Sequence, residues 1–134
     1  MIHAVAPFTV DDVTDDELVE QDPGIRYARQ RLNKTFQGDL EGRSTVEMLS
    51  VRSDAGTAGY VAIERIAGVL DGRTGSFALM HIATLSGEGQ WGKWLVLPGS
   101  GAGELAGISG EARIELSDGD QHTLLLDYTL PDAG

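Results

Sequence analysis

The chain has 134 residues, close to the commonest domain size and enough to bury one core without a disulfide or metal staple. Ten Lys and Arg side chains against 21 Asp and Glu give a formal charge of −11, which repels phosphate backbones and anionic lipid, so no nucleic acid and no membrane is expected as a partner. Cysteine is absent, no apolar run approaches the ~20 residues of a membrane span, and the N-terminus MIHAVAPFTV lacks the basic region of a signal peptide, so a cytoplasmic location is expected.

Eighteen glycines separate runs of strand composition, and strands are predicted at 2–10, 25–38, 43–52, 57–70, 73–86, 89–97, 109–117 and 121–130. Between the first two lies an acidic segment, 11–24, with seven carboxylates and a closing Pro23-Gly24. Thr14 and Glu17 have capping-box spacing, so an acidic loop or a short helix is expected there. The acidic spacing does not match a calcium loop. Asp54-Ala55-Gly56 marks the next turn of interest; read as part of a four-residue loop, it puts Glu47 and Leu49 on the same face as Tyr60, whereas an odd loop would flip them. Asp71-Gly72 predicts a two-residue hairpin that pairs Leu70 with Arg73, Glu64 with Leu79 and Ala62 with His81. A turn at Gly87-Glu88 then sets His81 opposite Trp94. Residues 98–106 fit the spacing of a dinucleotide loop, Gly101-x-Gly103-x-x-Ala106, but a strand follows instead of a helix, so a glycine-rich rim loop is expected.

Eight strands with short connections, and no helical period for crossovers, predict a single all-β domain over 1–134. Its architecture is an eight-stranded antiparallel barrel, lipocalin-like in construction. Strand alternation collects Tyr60, Ala62, Glu64, Ile66, Phe77, Leu79, His81 and Trp94 on one face, taken as the interior. The opposite face, with Val61, Ile63, Met80, Ile82 and Trp91, is apolar enough for a homo-oligomer contact.

Glu64 and His81 are diagonal neighbours in this register and are the candidate catalytic pair. A carboxylate and an imidazole in a partly desolvated barrel can have pKa values moved toward neutrality, which suits proton transfer. Glu47, Leu49, Tyr60, Phe77, Leu79, Trp94 and Tyr128 are the candidate substrate-binding residues. Alternation separates Lys34 from Arg29 and Arg31, and any of the three could meet a substrate carboxylate or simply pair with nearby acid. His3, His81 and His122 are scattered, without metal-ligand spacing. No cofactor and no metal are expected.

Several of these stretches also carry a resemblance. They are Lys34-Thr35-Phe36-Gln37-Gly38-Asp39-Leu40-Glu41-Gly42, Ile63-Glu64-Arg65, Gly72 through His81, Pro98 through Gly107, and Leu126-Asp127-Tyr128. From residue 34 onward the chain resembles a bacterial family of unknown function similar in fold to the allene oxide cyclase barrel. That family commonly has a Trp-Asp-Glu element after its first strand, where this chain has Val13-Thr14-Asp15-Asp16-Glu17. The resemblance implies an eight-stranded antiparallel barrel and no settled activity. Three functions fit these expectations. One is a cofactor-independent cyclase or isomerase that encloses a small, mostly apolar substrate. The others are a non-catalytic binding barrel for a small apolar molecule and a filled structural barrel acting through oligomerisation.

Overall fold

The computed structural model describes residues 1–14, 17–117, 119 and 121–131. The strands are β1 (Ile2–Val13), β2 (Glu17–Asp22), β3 (Ile25–Phe36), β4 (Leu40–Ser53), β5 (Ala58–Leu70), β6 (Arg73–Ser86), β7 (Gly89–Val96), β8 (Ala102–Gly103), β9 (Ser109–Ser117) and β10 (Gln121–Thr129). All ladders are antiparallel, in the order β1-β10-β9-β7-β6-β5-β4-β3, and β1 pairs with β3 to close an eight-stranded barrel. β2 adds to β3 outside that ring, and β8 adds to β6.

Turn chemistry sets the register. Asp71 and Gly72 both take positive φ, 47° and 84°, as a two-residue hairpin requires, and Leu70 stands opposite Arg73. From there Glu64 faces Leu79, Ala62 faces His81, and His81 faces Trp94 across β6–β7. The β4–β5 connection departs from expectation. The Ser53 amide donates to the Thr57 carbonyl at 2.9 Å around a three-residue loop whose Gly56 has φ 88°. That odd length puts Glu47 opposite Ile63 and Leu49 opposite Val61, on the outer face. Ser44, Val46, Met48 and Ser50 are among the inward residues of β4.

The acidic stretch is a second correction. Residues 11–13 extend β1 and residues 17–22 form β2, so the expected loop or short helix gives way to strand, and no helix occurs among the described residues. Asp15 and Asp16 lie outside the described residues. β-Branched Val13 and Val19 suit the extended chain, and β3 offers an edge for β2 to pair with.

One end of the barrel is packed shut. Leu40, Leu70, Phe77, Leu105, Ile108 and Tyr128 are among its buried side chains. Leu105 and Ile108 come from the glycine-rich segment, which is therefore a plug and not the expected rim loop. Gly75 makes room for it, since a Cβ there would lie 2.2 Å from the Ala102 carbonyl oxygen and 3.1 Å from Leu105 Cγ. Ser100 fastens the plug: its hydroxyl donates to the Leu97 carbonyl and accepts from the Ala78 amide.

Candidate functional site

Midway along the barrel, β3, β4, β5 and β6 each send one polar side chain inward. Lys34, Ser44, Glu64 and His81 are 7%, 4%, 1% and 5% exposed. Glu64 is the hub. Its Oε2 accepts a 2.5 Å hydrogen bond from the Ser44 hydroxyl, while Oε1 lies 3.4 Å from Lys34 Nζ and 2.9 Å from His81 Nε2. The imidazole nitrogen approaches at poor hydrogen-bond angles, so its attraction to Glu64 is electrostatic more than directional. Lys34 Nζ also sits 4.5 Å from the Phe8 ring centroid, a favourable cation–π placement. Burial pushes the Glu64 carboxyl up, but His81, the Lys34 charge and the Ser44 hydroxyl outweigh it and hold it below the usual carboxylate range. Glu64 is thus a firmly ionised counter-ion, which corrects the expectation of a group tuned toward neutrality.

Beyond this cluster, toward the end bearing the β4–β5 and β6–β7 turns, the interior is hollow. A cavity of about 600 Å³ opens there, lined by inward residues including Gln30, Met48, Ser50, Tyr60, Leu85 and Trp94. Small Ala83 and Gly92 leave the space. A Cβ at position 92 would come within 2.6 Å of the Trp94 ring, so only glycine lets the indole lie along β7 toward the mouth. Tyr60 and Trp94 stand against His81, with ring centroids 6.5 and 6.0 Å from its own. Neither Glu64 nor His81 lines the mouth cavity, so the two larger rings form its floor. The Trp94 Nε1 hydrogen is buried without an aligned acceptor. Burial pushes the Tyr60 phenol up, and the neighbouring Trp94 indole N–H pulls it partly back, which places the two polar tips side by side.

The predicted residues therefore separate into four groups. Glu64 and His81 meet inside the barrel, and Tyr60 and Trp94 line the cavity beside them. Phe77, Leu79 and Tyr128 are core residues, 2%, 0% and 1% exposed, away from the mouth. The Tyr128 hydroxyl donates to Asp71, tying β10 to the β5–β6 turn; burial and that carboxylate push the phenol well up. Glu47 and Leu49 lie outside the barrel, where Glu47 pairs with Arg31 at 3.2 Å. Met48, Ser50 and Gln30 are among the lining residues that the sequence did not single out, and for Met48 and Ser50 a signal was present. The glycine closing Asp54-Ala55-Gly56 was the available signal, because a three-residue hairpin loop takes glycine at that position. Lys34 is the internal cation, already committed to Glu64.

Among the described residues no group of three or more His, Cys, Asp or Glu side chains is placed to hold a metal ion, and no helix is long and apolar enough to cross a membrane. A family model described as "Protein of unknown function (DUF3224)" matches residues 4–128. Among solved structures, the chain is similar to a protein of unknown function from that family in Shewanella oneidensis MR-1. The identity is 38%, 99% of each chain is covered and the TM-score is 0.90. No curated protein matches the chain.

Proposed function

The chain belongs to the DUF3224 family, whose description assigns no activity, and from its own geometry we propose that the barrel is a container for one small, mostly apolar molecule bearing a hydrogen-bond acceptor. The observation that carries this reading is the cavity of about 600 Å³, walled by Met48, Leu85 and Trp94, with Gln30, Ser50 and Tyr60 as polar lining residues. Small-molecule sites span roughly 300–1,000 Å³ and combine apolar walls with a few fixed polar groups. A carbonyl or ether oxygen on the bound molecule would accept from the Tyr60 hydroxyl, a hydrogen bond worth about 0.5–1.5 kcal/mol.

Trp91 and Trp94 both line the cavity, so intrinsic tryptophan emission reports occupancy. The test compares a cyclic ketone with a hydrocarbon of the same shape. The ketone is expected to bind about 5-fold more tightly, and Tyr60→Phe is expected to erase that preference while the hydrocarbon still binds. Equal affinity for the two molecules in the unaltered chain, or no change in emission with either at millimolar concentration, would defeat the container reading.

A cofactor-independent cyclase or isomerase working in the same cavity is the second reading, favoured by the Glu64–His81 contact directly beneath the floor. Enclosure would order a flexible substrate, and the Tyr60 hydroxyl, which lines the cavity with the His81 ring behind it, would be the group placed to exchange a proton with it. Glu64→Gln discriminates the readings. Loss of turnover with binding retained supports catalysis, whereas retention of both leaves Glu64 a structural counter-ion.

A further inference from the structure

The outer face of β4–β7 is apolar to an extent that a barrel wall in water does not require. Leu49, Val61, Ile63, Met80, Ile82 and Leu95 are each 40–55% exposed and adjacent across four strands. The face is indented rather than convex: these residues line a groove of about 610 Å³. From the ladder registers, two neighbouring rows cross it. One reads Arg29, Leu49, Val61, Ile82, Lys93; the next reads Arg31, Glu47, Ile63, Met80, Leu95, Glu111. An apolar centre between charged margins is the anatomy of a protein interface.

We infer that this face is the two-fold interface of a homodimer. In a chain of charge −11 most surfaces of two copies repel, but the margins here carry Arg29, Arg31 and Lys93 against Glu47 and Glu111. A two-fold axis lying in the face, across the strands and between the two rows, sets each row against the other row of the second copy. Val61 and Ile82 then meet the partner's Ile63 and the partner's Met80. Lys93 comes beside the partner's Glu111, and Arg29 comes opposite the partner's Arg31, with the partner's Glu47, already bridging that arginine, between the two. Each contact occurs twice, as an isologous interface demands. Lys93 has no salt-bridge partner within its own chain among the described residues. The groove draws on five strands, from Arg29 on β3 to Lys93 on β7. Five strands about 4.8 Å apart and two side-chain rows of ~6.8 Å give a footprint on the order of 300 Å², which side-chain relief brings toward the small end of specific interfaces.

The test is sedimentation equilibrium of the full chain, with circular dichroism confirming that each variant is folded. The unaltered chain is expected to be a dimer at micromolar concentration. Ile63→Glu, at an exposed position, is expected to raise the dissociation constant at least roughly 100-fold. Lys93→Glu and Glu111→Lys are each expected to weaken the dimer by about 10-fold, and the double variant to return it to within a few-fold of the original. A monomer at high concentration, a trimer or larger closed ring, or a dimer indifferent to Ile63→Glu would overturn the inference. Failure of the double charge exchange to restore affinity would overturn the two-fold arrangement.

Discussion

Glu64 stays ionised at 1% exposure because three groups converge on it, and each can be removed separately. Its unfolded value is near 4.5 and its folded value lies lower. The cluster's contribution is therefore complete above about pH 4.5 and disappears as pH falls through the folded value. Acid unfolding followed by circular dichroism is expected to show this loss in the unaltered chain and a flatter acid limb in Glu64→Gln. At pH 7 the same substitution is expected to cost about 3–5 kcal/mol in urea unfolding, because it leaves Lys34 buried beside a neutral amide. Adding Lys34→Met should recover most of that loss, since it removes the buried charge that Glu64→Gln leaves without a partner. A loss below about 1 kcal/mol in Glu64→Gln would mean that water or local movement solvates Lys34, contrary to its position here. Gly92 is the companion test at the cavity floor. Gly92→Ala is expected to displace the indole at a cost of about 1–3 kcal/mol and to shift tryptophan emission without ligand.

At the scale of strands and turns, loop parity decides which side chains share a space. Asp71-Gly72 has one common hairpin geometry, so the β5–β6 register, and with it the Glu64–His81 contact, was legible in the sequence. Asp54-Ala55-Gly56 admits two loop lengths, and only the three-residue form brings Met48 and Ser50 inside. One residue of ambiguity thus inverted a whole strand. The acidic stretch was illegible for another reason: an edge strand such as β2 is held by ladder bonds to β3, and its side chains are all exposed, so no apolar alternation announces it. The glycine-rich plug hid its purpose because its two buried residues, Leu105 and Ile108, lie after the glycines that draw attention. Two glycines separate backbone strain from crowding. Gly56 has φ 88° and open space around it, so Gly56→Ala is expected to cost about 1–2 kcal/mol from conformation alone. At Gly68 a Cβ would lie 2.2 Å from the Glu41 carbonyl oxygen, in backbone that cannot yield, so Gly68→Ala is expected to cost several-fold more. Thermal unfolding of the pair would show the order, and equal losses would contradict it.

The whole molecule is a vessel stoppered at one end and hollow at the other, with a buried charge cluster, the one fully desolvated among the described residues, in between. Its ring of ladders is uneven. The β5–β6 ladder runs from Ala58 opposite Leu85 to Leu70 opposite Arg73, whereas the described β7–β9 ladder consists of Trp94 opposite Ala112 and Leu95 opposite Glu111. Amide hydrogen exchange is expected to be slowest in β5 and β6 and fastest, among the strands that close the ring, on the β7 and β9 residues beyond that short seam toward the mouth. Protection in β9 equal to that in β5 would contradict this order. The seam begins at Trp94, the residue that floors the cavity, so the hinge of the wall and the floor of the chamber are one side chain. A guest pressing on that indole pushes on the only stitches joining β7 to β9 among the described residues. Loading and unloading then become a matter of unbuttoning one side rather than lifting a lid, and the residence time of any guest should track how often two residue pairs come undone.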